Sequence, residues 1–120
     1  MPAADVHEQT IEAPASDVWR FMVDPAALSA WFGADAWLEP EAGGRVRFRF
    51  PDGSVRRGAV EEVEPGQRLA WRWREQRGTG FGSTIGEPST VTIELESVED
   101  GTRVRITETK VTAPAEARVR

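Results

Sequence analysis

The stretch APASDVWRFMVDPAALSAWF, residues Ala13–Phe32, carries the only convincing helical signals in the chain, and the reading of everything else follows from it. Ala13-Pro14 opens it, because a proline in a first turn lacks only an N–H that would have no partner there. Val18, Phe21 and Met22 fall at i, i+3 and i+4 with Trp19 beside them, which makes one apolar stripe on a short helix. Asp24-Pro25 restarts the pattern, with Asp24 suited to cap a second helix and Pro25 to its first position. Leu28, Trp31 and Phe32 form the second stripe, and Gly33 ends it. Two short helices therefore abut at a proline and turn their aromatic residues toward a partner layer. Everything after Asp35 reads as strand, so that layer is a sheet.

Before the helices, Asp5–Glu12 lacks helical periodicity and reads as a first strand. After them, Asp35–Glu39 is a short strand carrying Trp37. Arg45–Phe50, RVRFRF, alternates strictly, with Val46, Phe48 and Phe50 on one face and Arg45, Arg47 and Arg49 on the other. Pro51-Asp52-Gly53 turns the chain into Ser54–Glu64, where Gly58 predicts a bulge. After Pro65-Gly66, Gln67–Gln76 places Leu69, Trp71 and Trp73 inward. Thr90–Val98 does the same with Val91, Ile93 and Leu95, and Thr102–Val111 with Val104 and Ile106. Short turns between consecutive strands predict an antiparallel meander with one apolar and one charged face. The fold class is α+β: an antiparallel sheet of six to seven strands with two short helices after the first.

Length allows one domain, residues 1–120, with a substantial core. The formal charge of −5 sets no long-range field toward nucleic acid or an anionic membrane. Cysteine is absent, which excludes disulfides and thiol chemistry and makes a reducing cytoplasm the expected location. No apolar run reaches the roughly 20 residues of a membrane helix, and MPAADVHEQT has no signal-peptide pattern. One histidine, no cysteine and no suitably spaced carboxylates predict neither a metal site nor a cofactor.

The run Ile11-Glu12-Ala13-Pro14, Val18-Trp19-Arg20, Asp24-Pro25, Leu28 and Trp31-Phe32 resembles the opening of the START-like, helix-grip (SRPBCC) superfamily. Within it, the chain resembles the branch of proteins related to the activator of heat shock protein 90 ATPase. Gly43-Gly44-Arg45 with Phe48, VEEVEP at Val60–Pro65, Arg68-Leu69 with Trp71 and Trp73, VTIEL at Val91–Leu95, and Gly101-Thr102 through Glu108 follow in order. The resemblance implies a curved sheet gripping a long C-terminal helix around an apolar cavity. It also implies a functionally mixed family: lipid and polyketide binding, polyketide cyclisation, toxin sequestration and co-chaperone work. Only nine residues follow Val111, a helix of roughly 13 Å at most, so the long C-terminal helix is expected to be shortened or lacking.

The candidate ligand-binding set is Trp31, Trp37, Phe48, Phe50, Trp71, Trp73, Phe81, Ile93 and Ile106, and the alternative for each is plain core packing. Two adjacent inward tryptophans favour a pocket that stacks flat rings. Glu75 and Glu108 share the inward parity, and in an apolar pocket such carboxylates have raised pKa values suited to acid–base work. Otherwise each sits at a strand end and reaches solvent. His7 stands apart from any nucleophile and reads as structural or solvated. The segment Arg77–Ser89, with its four glycines, is either a flap carrying Phe81 over the cavity or a surface loop; its GTGFG has no helix behind it to bind phosphate. The outward arginines read as a solvated face, with Glu94 and Glu96 across from Arg103 and Arg105.

These observations favour non-covalent binding of a small hydrophobic or aromatic molecule. The alternatives are a cyclase- or hydrolase-type enzyme using Glu75 or Glu108, and a chaperone-associated protein–protein module. The apolar concave face also predicts a homodimer that covers it.

Overall fold

The computed structural model describes residues 4–78 and 84–110. Strand β1 (Ala4–Ile11) leads into helices α1 (Ala15–Val23) and α2 (Pro25–Phe32). The strands β2 (Asp35–Leu38), β3 (Arg45–Arg49), β4 (Val55–Glu64), β5 (Arg68–Arg77), β6 (Thr84–Ile85), β7 (Ser89–Val98) and β8 (Gly101–Lys110) follow. They form one antiparallel sheet ordered β1-β8-β7-β5-β4-β3-β2, with the two-residue β6 pairing β5 beyond the point where β7 leaves it. The sheet curls into a half-barrel, and the two helices pack at one end of its concave side.

The helix signals act locally as the residue types require. The Asp24 carboxylate accepts a hydrogen bond from the Ala27 N–H at 2.9 Å, Pro25 opens α2, and Gly33 ends it at φ 65°. In α1, Val18 and Met22 are buried, but Phe21 is 57% exposed and lies outside the stripe expected for it. Two side-chain bonds tie the helical segment and its entry to the sheet. Thr102 Oγ1, fully buried, donates to the Ala13 carbonyl at 2.8 Å. Ser29 Oγ accepts from the Ala36 N–H at 2.8 Å.

Packing centres on Trp71, which is 0% exposed. Phe48 sits 5.7 Å from it and Trp73 5.6 Å, while Phe32 of α2 meets Phe48 edge-on at 5.1 Å. Leu28, Met22, Val18, Leu69, Val91, Ile93 and Val104 surround this cluster. The sequence marked Phe32 as part of a helical stripe; the structure makes it the wedge between helix and sheet.

Curvature has a local cause. A Cβ at Gly58 would overlap the backbone carbonyl of Arg72 and crowd the Cα of Trp73, its partner in β5. The strands approach closely there because glycine leaves the space. The bulge itself falls two residues further on, where the β4–β5 register shifts between Val60 and Glu62. The segment read as a loop at Arg77–Ser89 contains β6, and the Gly86 N–H donates to the Glu75 carbonyl at 2.8 Å. The expectations for Phe81 and for a lacking C-terminal helix fall at residues 79–83 and 111–120, outside the described residues. Among the described residues, no helix is long and apolar enough to cross a membrane.

Two substitutions probe this packing. Trp71→Ala removes the most enclosed ring and is expected to cost about 3–5 kcal/mol in denaturant unfolding. Gly58→Ala deletes nothing, yet it is expected to destabilise at least as much, because backbone rather than a side-chain tip must move. A Gly58→Ala protein with an unchanged midpoint would contradict the close approach.

Candidate functional site

Alternation carries every second residue of β4, β5, β7 and β8 to the concave face, and near one end of the half-barrel those residues turn from apolar to polar. Arg56 on β4 stands opposite Glu75 on β5, Trp73 stands opposite Ser89 on β7, and Val91 stands opposite Glu108 on β8. The register therefore gathers Arg56, Glu75, Ser89 and Glu108 around the Trp73 indole. Glu108 Oε2 accepts three hydrogen bonds: from Arg56 Nη1 at 3.0 Å, Trp73 Nε1 at 3.0 Å and Ser89 Oγ at 2.7 Å. The second arginine nitrogen, Nη2, lies 3.7 Å from Glu75 Oε2. The guanidinium also stacks over two rings, 4.9 Å from the Trp73 centroid and 5.5 Å from that of Phe50.

Arg56, Glu75 and Glu108 are each about 30% exposed at the side chain, so the cluster is half in water. Arg56 Nε is the exception: it is buried and has no partner among the described residues. An unmade bond at a buried donor is costly, and an acceptor that reaches it recovers that cost. Beside the cluster a depression of about 360 Å³ opens between Phe50, Ser54, Arg56, Glu75, Arg77 and the Pro51-Asp52 turn.

The turn that shapes this opening is held by Asp52. Its Oδ1 accepts from the Ser54 hydroxyl at 2.6 Å and from the Ser54 N–H at 2.8 Å. The hydroxyl bond first, then the N–H and the nearby Arg77, hold its carboxyl below the ordinary value of 3.8. Arg77 in turn bonds Glu75 at 3.0 Å, and that bond first, with the charges of Glu75 and Asp52, raises its pKa.

The structure distributes the expected ligand-binding residues unevenly. Phe48, Trp71 and Ile93 are fully packed, with no ring face or edge open to a ligand, and Trp73 is 3% exposed. Phe50, Ile106 and Trp31 are half-buried on the concave side. Trp37 is a correction: its neighbours Ala36 and Leu38 take the buried positions of β2, so its ring faces outward under Arg45, 5.8 Å from the guanidinium. Glu75 and Glu108 do reach the inner face, but a guanidinium stands between them where an apolar pocket was expected. His7, opposite Ile106, is exposed. Sequence reasoning missed Arg56 and Ser89. The parity that marked Trp73 and Glu75 inward would have marked Arg56 too, since only one residue of the pair Arg56-Arg57 can face out.

Residues 12–120 match the family model described as Activator of Hsp90 ATPase homolog 1-like protein. No curated protein matches the chain. A crystal structure of a Mesorhizobium loti protein is similar at 24% identity and a TM-score of 0.75, over 98% of this chain and 82% of that one. A Rhodobacter sphaeroides protein is similar at 24% identity and a TM-score of 0.70, over 100% and 83%. DynU16, a protein in the dynemicin biosynthetic locus, matches at 24% identity and a TM-score of 0.72, over 97% of this chain but 41% of its own. At these identities the likeness shows the fold alone.

Because the Asp52 carboxyl titrates lower folded than unfolded, its contribution to stability is present above the ordinary aspartate value and is lost as pH falls through the lowered one. Asp52→Ala should therefore lower the thermal midpoint at neutral pH, and the gap from the native protein should close as the pH drops below about 3.8. A gap that stays constant into strong acid would show that the carboxylate bonds are not the cause.

Proposed function

The chain belongs to the Activator of Hsp90 ATPase homolog 1-like family, and from that premise we propose that its concave face binds a small, flat, largely apolar molecule carrying one hydrogen-bonding group, without covalent chemistry. The observation that carries this reading is the Arg56 cluster beside Phe50. A half-exposed aromatic ring, a guanidinium stacked on it with an unpartnered Nε, and an adjoining depression of about 360 Å³ combine an apolar wall with a few fixed polar groups. Small-molecule sites are commonly built that way. Phe50 and the edge of Trp73 supply the flat surface; Arg56 donates to an acceptor on the ligand; Glu75 accepts from a donor. The packed rings of Phe48 and Trp71 form the floor and do not touch the ligand. On this reading Glu108 is a positioning residue. Its Oε2 already accepts three hydrogen bonds, which fixes Arg56 and Trp73 and leaves that oxygen unsuited to shuttling a proton.

Titration calorimetry with 2-naphthol, a flat ring with one hydroxyl, tests the reading. Saturable binding is expected, with the affinity lowered about tenfold or more in Arg56→Ala and in Phe50→Ala, equivalent to about 1.4 kcal/mol. Both side chains are partly exposed, so cooperative unfolding should survive in each variant. Equal affinity in all three proteins, or heats that never saturate, would sink the assignment.

A further inference from the structure

The convex face carries a second arrangement that the concave site does not use. Across β2, β3, β4 and β5 one row of directly opposed residues runs Trp37, Arg47, Arg57, Arg74. Three like charges on neighbouring strands, about 4.8 Å apart, repel one another and weaken the sheet. Most other arginines on this face are matched: Arg45 pairs with Glu39, Arg68 with Glu62 and Glu94, Arg72 with Glu61, Arg103 with Glu96 and Arg105 with Glu8, while Arg49 stands opposite Asp35 rather than another arginine. Among the described residues, Arg47, Arg57 and Arg74 make no ion pair, and all three are exposed. A depression of about 470 Å³ lies along the β2–β4 part of this row, lined by Trp37, Arg45, Val46, Arg47, Arg57 and Gly58, with Arg74 beyond its edge.

We propose that the Arg47–Arg57–Arg74 row, closed at one end by Trp37, is a binding site for a small oligophosphate. Guanidinium groups present paired N–H donors that match phosphate oxygens, and neighbouring strands set them at a spacing that linked phosphates span. Charge decides the size of the occupant. The whole chain is formally −5, so everything outside these three arginines carries −8. A long polyanion or an anionic bilayer would meet that field, whereas a ligand confined to the three arginines, roughly 10 Å across two strand spacings, would not. Carboxylates stand at two margins: Asp35, opposite Arg49, and Glu61 and Glu62 further along β4, ion-paired to Arg72 and Arg68. Bound phosphate neutralises the row, so the ligand also removes the repulsion the free sheet carries.

Inorganic tripolyphosphate, titrated at low ionic strength and followed by calorimetry and thermal unfolding, tests this. The native protein should bind it saturably and melt higher with it. Arg57→Gln, at the centre of the row, should weaken binding at least tenfold, and Arg47→Gln should do the same. The free Arg57→Gln protein should melt at or above the native midpoint, because a like charge has gone. Arg103→Gln, on a strand beyond the row, should bind as the native protein does. Absence of saturable binding overturns the proposal, as does equal weakening by Arg103→Gln. Tighter binding of a deca-glutamate peptide or of a single-stranded oligonucleotide than of tripolyphosphate overturns it as well, by making the row a macromolecular surface.

Discussion

Covering Trp71 is the constraint the rest of the structure serves. Its ring projects from the middle of β5 into a sheet that would otherwise leave it in water. Phe48 from β3 and Trp73 from its own strand close two sides, and Phe32 comes down from α2 onto Phe48. That last contact requires α2 to end where it does, which Asp24, Pro25 and Gly33 ensure. It also requires the sheet to curl, which Gly58 and the shift between Val60 and Glu62 permit. Helix caps, a glycine and a bulge far apart in sequence thus answer to one buried indole.

The concave face divides as a consequence. Where the helices reach, the sheet residues are apolar and packed. Beyond their reach the same strands carry Arg56, Glu75, Ser89 and Glu108, which satisfy one another and the edge of Trp73. The half-barrel therefore has a dry end that supplies stability and a polar end that is half in water. This half-exposed polar network fixes its side chains through the bonds it makes, and among the described residues two buried donors, Arg56 Nε at its edge and the sealed Trp71 Nε1, have no partner.

Much of this was legible in the sequence, because period-two alternation and proline–glycine punctuation are local signals. All strands but the two-residue β6, the two caps of α2 and the inward set Val46, Phe48, Trp71, Trp73, Val91, Ile93 and Val104 follow from them directly. What alternation cannot report is which inward residues are covered. Trp71 and Phe50 share a parity, yet the first is sealed and the second is half open, because α2 reaches only one of them. Trp37 was misassigned because β2 is short: Ala36 and Leu38 are enough to set its inner face, and a larger ring is left outside beneath Arg45. The cross-strand ions show a similar limit. Glu96 bonds Arg103 as expected, but Glu94 turns to Arg68 and leaves Arg105 to Glu8, since each strand has two neighbours. Nor was the row of arginines visible until the register placed them side by side.

The division of the concave face into a sealed end and an open end is the claim on which this account rests. The five tryptophan indole N–H groups report on it separately in a nitrogen–proton NMR spectrum. Adding a flat aromatic alcohol should shift the Trp73 resonance, whose N–H is shared between Glu108 and Ser89, in a saturable way, while that of Trp71 stays within line width. A shift largest at Trp71, or of equal size at all five, would contradict it.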